Sequence, residues 1–276
     1  MMRAAAICLI VLSLLATAAQ TQEDDMRVRL SDRVRERVAS IAARGRASEL
    51  GADTFAKVGD SLSVAEHYLK PIARDLAILG DYTQLRNVLT AYSAESYSRA
   101  SLATGVGWTS YVVLQAEYAN ADDCRPHESP LACEYRIMQP SVALILFGSN
   151  DVGILSPLQY EYNMRRILDF TIGRGIVPIL STIPPRIGRE SEVEAFNVIV
   201  VALADEYELP LIHLWRAMMT LSDYGLDEDG VHPTVPPGLF AGAVDFRADN
   251  LYYGHVIRNL TTLHMLDAVQ RVVARR

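Results

Sequence analysis

The chain has 276 residues, half of them hydrophobic, and a formal net charge of −7. That length is ample for one sizeable core and within reach of a single α/β domain, so a second domain is not required. The negative balance, with Lys and Arg scattered along the chain, excludes nucleic acid as the expected partner.

The first residues, MMRAAAICLIVLSLLATAAQTQEDD, place one arginine before an apolar run of about a dozen residues, then small residues at Ala16-Thr17-Ala18, then acids. This is the pattern of a secretory signal peptide, taken as residues 1–19. The run is shorter than the roughly 20 residues of a bilayer-crossing helix. The mature protein is therefore expected to be secreted or periplasmic, with no stable membrane insertion after cleavage. Cys8 follows Ile7, where a lipid-modified cysteine would follow a small residue, which argues against lipidation.

An N-terminal helical segment, residues 20–52, comes next. In it DMRVRLSDRVRERVASIAARGR carries Val and Ile at helical spacing among alternating charges, which predicts an amphipathic helix from about 25 to 46. From 53 to 276 the pattern is that of one domain. TFAKVG (54–59) reads as a first strand and VAEHYLKPIARDLAIL (64–79) as a helix interrupted at Pro71. A second strand is expected near ESYSR (95–99) and a helix over WTSYVVLQAEYA (108–119). SVALILFG (141–148) is a continuous apolar run, as a strand buried on both faces of a parallel sheet requires. A helix around 157–173, the strand IVPILST (176–182), the turn IPPRIG, a helix around 190–207, the strand LPLIHLW (209–215) and a closing helix from about 251 complete the series. This alternation predicts a three-layer α/β/α sandwich with a parallel sheet of about five strands, in which ligands bind beyond the C-terminal ends of the strands.

Without the leader the chain keeps two cysteines, Cys124 and Cys133, in CRPHESPLAC. In an exported protein two nearby cysteines most simply pair as a disulfide. No Cys-x-x-Cys motif or His-rich cluster supports a metal pair instead. The six histidines lack a His-x-x-x-His pair, and neither metal nor cofactor is expected. His213 and His264 read as packing or surface residues.

Three loops fall at one edge of the predicted sheet: GDSLS after the first strand, GSND after the central one and DEDGVHPT after the last. A Gly-Asp-Ser-Leu tetrapeptide arises by chance in roughly one such chain in a hundred. Ser61 or Ser63 could equally cap the following helix. Asp229 and His232, separated by two residues, are spaced so that the carboxylate can fix one imidazole nitrogen and leave the other to take a proton from a serine. Alone, His232 would be read as a loop histidine facing water. Asn150 can donate its amide to an oxyanion, or simply shape a turn beside Gly148. The order Ser, Asn, Asp, His, each at the end of a strand, is what joins these readings.

On these blocks, GDSLS around Ser61, GSND around Asn150 and DGVH around Asp229 and His232, the chain resembles the SGNH, or GDSL, hydrolase superfamily over residues from about 53 to the C-terminus. The resemblance implies a flavodoxin-like SGNH hydrolase fold with Ser61 as nucleophile, His232 as general base and Asp229 as its orienter. The oxyanion hole would be formed by Asn150 with the backbone amides of Ser61 and of a glycine after the second strand. YSRASLATGVGW offers Gly105 and Gly107 for that place, with Ser101 and Thr104 nearby, and Gly105 is favoured. No Gly-x-Ser-x-Gly elbow of the α/β-hydrolase type occurs. The expected function is an exported serine esterase acting on carboxylic esters of short acyl, carbohydrate or lipid type, with a small-molecule, polysaccharide or lipid ester as substrate. The alternative is a non-hydrolytic carbohydrate-binding or an acyl-transferring protein on the same scaffold. Segment 233–255 is one candidate for a wall of the acyl pocket, with a structural lid or packing against the sheet as equal alternatives, and the loop 124–133 is a second candidate for the rim. Gly59 reads as space for the turn and the acyl group, and the role of Asp60 stays open.

Overall fold

The computed structural model describes residues 28–238 and 240–274. The expected signal peptide, residues 1–19, lies outside the described residues. Helix α1 (Asp32–Ala47) starts at Ser31, whose hydroxyl accepts the Val34 N–H. Asp32 in its first turn and Arg44 and Arg46 in its last complement the helix dipole. The spacing read from the sequence is realised as a buried stripe of Val38, Ile41, Ala42 and Gly45.

Strand β1 (Gly51–Gly59) leads into a single helical turn, α2 (Ser61–Val64). Helices α3 (Arg86–Ala91), α4 (Ala94–Ser98) and α5 (Pro130–Met138) precede β2 (Pro140–Leu146), all seven residues of which are buried. Then follow α6 (Pro157–Gly173), β3 (Val177–Ser181), α7 (Glu190–Glu206), β4 (Leu211–Ile212), α8 (Leu214–Met218) and α9 (Gly254–Val273). The four strands are parallel in the order β1-β2-β3-β4. Helices α6 and α7 pack together and on β3, while α1 and α9 pack together and reach β3 and β4. Both faces of the sheet are covered, which is why β2 and β3 carry apolar residues without alternation. Because the strands are parallel, all four chain exits lie at one edge.

Several expected elements are corrected. Among the described residues the sheet has four strands where about five were expected. ESYSR is helical: the Ser93 hydroxyl accepts the Ser96 N–H and caps α4, and Tyr97 is buried with its hydroxyl donating to the Val88 carbonyl at 2.7 Å. What remains of a strand beyond β1 is one isolated parallel bridge, Gly59 with Thr104. Within the helix expected over 64–79 only the last residue of α2, Val64, and a 3-10 turn, Lys70–Arg74, are helical, because Leu69 (φ 61°) and Asp75 (φ 55°) take left-handed backbone on either side of that turn. Over 108–119 two 3-10 turns, Val112–Leu114 and Ala116–Tyr118, are separated by extended Gln115, so no continuous helix forms. The strand expected at 209–215 is cut to Leu211–Ile212, since the chain turns at His213 into α8.

Candidate active site

Strand β1 delivers Ser61 two residues beyond its last paired position, Gly59. A Cβ at Gly59 would collide with the Leu146 carbonyl and with Ser63, so only glycine lets the chain turn this close to β2. Asp60 caps α2: its carboxylate accepts the Leu62 N–H at 3.0 Å. The cap that the sequence offered to Ser61 or Ser63 is thus filled by Asp60, and the Ser61 hydroxyl is directed elsewhere.

That hydroxyl meets His232, 171 residues downstream, at 3.0 Å from Nε2. His232 sits in a tight turn closed by an antiparallel bridge between Leu226 and Pro233 and by Asp227 N–H donating to the His232 carbonyl at 2.8 Å. Thr234, just beyond the turn, accepts the Gly254 N–H at 2.9 Å on its hydroxyl, tying it to the start of α9. Within the turn, Asp229 Oδ1 accepts the backbone N–H groups of Val231 and His232, each at 2.9 Å, and Oδ2 lies 2.5 Å from His232 Nδ1. Partial burial alone would raise the Asp229 pKa, but the hydrogen bonds from the His232 ring and from the two backbone amides hold it down at about 2. A carboxylate ionised that firmly keeps the proton of the neutral imidazole on Nδ1, which leaves Nε2 as the acceptor for the Ser61 O–H.

Asn150 stands four residues beyond β2, in a turn closed by Val152 N–H donating to the Gly148 carbonyl at 2.9 Å. Gly148 has φ 133°, and a Cβ there would strike Ile183, so this position too demands glycine. One N–H of the Asn150 amide donates to the Trp108 carbonyl at 3.0 Å, which fixes the amide plane and leaves its second N–H for another acceptor. Next to it Asp151 is fully buried, its Oδ1 accepting the Ser110 N–H at 2.8 Å and the Ser110 hydroxyl at 2.5 Å. Gly105 is not placed as expected. Its N–H donates to the Gly59 carbonyl at 3.2 Å beside the bridge to β1, and it must be glycine because a Cβ would enter the Trp108 ring. The amide is committed to the backbone rather than free for an oxyanion.

Beneath Ser61 lie charges that the sequence did not explain. Asp60 is buried, and its Oδ2 has no hydrogen-bond partner among the described residues. Burial pushes its pKa up to about 7, with the Leu62 N–H and the Arg258 guanidinium pulling the other way and Asp151 adding to the rise. Arg258, from α9, is buried over the Tyr68 ring and donates to the Leu62 carbonyl. Burial likewise raises Asp151. His255, also buried, is held neutral by burial and by nearby Arg258, and His264 packs edge-on to Tyr82. Cys124 and Cys133 form the expected disulfide, anchored at the start of α5.

Over 99 residues, 34% of this chain, it is 33% identical to thioesterase 1/protease 1/lysophospholipase L1 of Escherichia coli (strain K12), and the same figures hold for that of strain CFT073. The chain spans about half, 47%, of the length of these curated relatives. No family model matches. Among solved structures, a carbohydrate esterase family 3 protein from Talaromyces cellulolyticus superposes with a TM-score of 0.51 at 13% identity, over 77% of this chain and 97% of that one. The two chains share one fold. A lipase/acylhydrolase from Enterococcus faecalis is similar at 17% identity and a TM-score of 0.49, covering 79% and 96% of the two chains. On this fold Ser61, His232 and Asp229 lie in one hydrogen-bonded line, with Asn150 on the neighbouring strand exit.

Three residues of the site were not singled out from the sequence. Trp108 orients Asn150 through a backbone carbonyl, which any residue type supplies, so no sequence signal marks it. Asp151 was visible in GSND, where the aspartate next to the asparagine is the natural anchor of the turn. Arg186 in IPPRIG donates to the carbonyls of Ser149 and Val152 and is silent in sequence for the same reason as Trp108.

Proposed function

We propose that this chain is an exported serine hydrolase acting on carboxylic esters, whose catalytic domain, expected over 53–276, takes in β1 from Gly51, with α1 of the preceding segment packed on it. The observation that carries the reading is the relay Ser61–His232–Asp229, with Oγ 3.0 Å from Nε2 and Nδ1 2.5 Å from the carboxylate. Ser61 attacks the ester carbonyl as Nε2 takes its proton, and the imidazolium formed is stabilised by Asp229, which stays ionised. The oxyanion receives the free N–H of Asn150 and the Ser61 amide; each such donor is typically worth about 3 to 4 kcal/mol in the transition state. Collapse of the intermediate expels the alcohol, which takes the proton from His232. Water, deprotonated by the same nitrogen, then releases the acid.

Among the described residues no helix is long and apolar enough to cross a membrane. The N-terminal signal pattern and the disulfide support export. The esterase, thioesterase and lysophospholipase names of the similar proteins support an ester or thioester substrate. A panel of chromogenic esters graded by acyl length, assayed with wild type and Ser61→Ala, tests the reading. Hydrolysis should vanish in the variant, and full activity there would overturn it. Product analysis with an alcohol acceptor separates hydrolysis from acyl transfer.

A further inference from the structure

The turn that presents Asn150 is short of donors. The carbonyls of Ser149 and Val152, on either side of Asn150, belong to buried residues and lie outside the strand ladder. Buried carbonyls need partners. Both find the same one: Arg186, in the loop after β3, donates Nη1 to the Ser149 carbonyl and reaches the Val152 carbonyl at 3.4 Å. A guanidinium is suited to this because its donors are held in a fixed plane and can serve two acceptors without rotating between them.

The segment carrying Arg186 also touches the other half of the site. Ile187 N–H donates to the Gly230 carbonyl at 2.9 Å, and its side chain packs so closely over Gly230 that a Cβ there would press on Ile187 Cβ. Gly230 lies between Asp229 and His232. Residues 184–188 therefore hold the asparagine turn with Arg186 and the aspartate–histidine turn with Ile187, so one short loop sets both halves of the site.

We propose that Arg186 is a positioning residue of the hydrolytic site, fixing through the Ser149 and Val152 carbonyls the turn that aims Asn150 at the oxyanion. The inference rests on the serine-hydrolase reading above. A donor displaced by about an ångström can cost on the order of a hundredfold in rate, and removing an oxyanion donor outright costs about 10²–10³ in kcat. Loss of Arg186 is expected to act in kcat rather than KM, because the oxyanion exists only beyond the ground state.

The test is a double-mutant cycle on a chromogenic ester, using Arg186→Met, which keeps the aliphatic stem, and Asn150→Ala. By those magnitudes Arg186→Met should lower kcat about 10- to 100-fold with KM changed less than about threefold, and Arg186→Lys, which keeps charge and one donor direction, should recover part of the loss. In the Asn150→Ala background the same Arg186 substitution should cost less than about threefold, since the group it positions is gone. Additive losses in the cycle, or a loss confined to KM, would overturn the proposal. If Arg186→Met does not fold, the cycle is run with Arg186→Lys and judged by the same criterion. Wild type with no Ser61-dependent turnover would instead overturn the hydrolase reading itself, and that result is read before any Arg186 variant is made.

Discussion

Replacing Asp60 by Asn should change how stability depends on pH more than it changes stability at acid pH. Asp60 is buried and, at a pKa of about 7, keeps its proton in the native state well above the ordinary aspartate value of 3.8. Between those two values the native state binds a proton that the unfolded chain has released. Stability therefore falls as pH rises through the window. About three units at 1.36 kcal/mol each set the size of the effect at up to about 4 kcal/mol. The side-chain amide of the Asp60→Asn variant would keep an acceptor for the Leu62 N–H, at 3.0 Å in the wild type, and would remove the ionisation. Urea unfolding at about pH 4.5 and pH 8 should show the wild type losing ground relative to Asp60→Asn as pH rises, with equal m-values. Parallel profiles for the two proteins would show that Asp60 is not a buried acid kept protonated by desolvation.

Lys57 should give the opposite limb. Its burial lowers its pKa to about 7, and Nζ donates to the Tyr97 carbonyl at 3.0 Å, so the unfolded chain binds the extra proton above neutrality and stability should rise by about 3 kcal/mol from about pH 7 to 9.5. Lys57→Met should flatten that rise in the same urea titration, and a rise that persists would place its origin elsewhere. Reducing Cys124–Cys133, nine residues apart, should cost about 2 to 3 kcal/mol of stability by the loop-entropy estimate, and an unchanged urea midpoint with reductant would contradict it. Gly59→Ala should fail to fold or lose several kcal/mol, because its Cβ would have to displace a β2 carbonyl and Ser63 together; a protein melting within a few degrees of wild type would show the turn to be looser than described.

Elements with a strong period and firm punctuation were legible in the sequence. The run 141–148 became β2, and 157–173 and 190–207 became α6 and α7 within a residue or two. Helix α6 has a complete capping box, Ser156 with Gln159, which makes its start unambiguous. The segment from 64 to 119 was misread because its structure is decided by single residues. Left-handed backbone at Leu69 and Asp75 and a serine cap at Ser93 override local hydrophobicity. In the site, the short-range Asp229–His232 spacing carried real geometric content, since a two-residue gap in a turn brings carboxylate and ring together. Ser61 and Asn150 became candidates through their order along the chain. The Gly105 expectation failed because a glycine's place in a motif does not say whether its amide is free, and here it bonds to the Gly59 carbonyl. Contacts made by backbone carbonyls, at Trp108 and from Arg186, leave no trace in residue type.

Ser61, as a nucleophile activated by His232, is expected to react with a fluorophosphonate, which intact-mass analysis after incubation reads. Wild type should gain one adduct, mapped to Ser61, while folded Ser61→Ala gains none and His232→Ala labels orders of magnitude more slowly. A folded wild-type protein that takes no label, or takes it at a residue other than Ser61, would show that Ser61 is not an activated nucleophile.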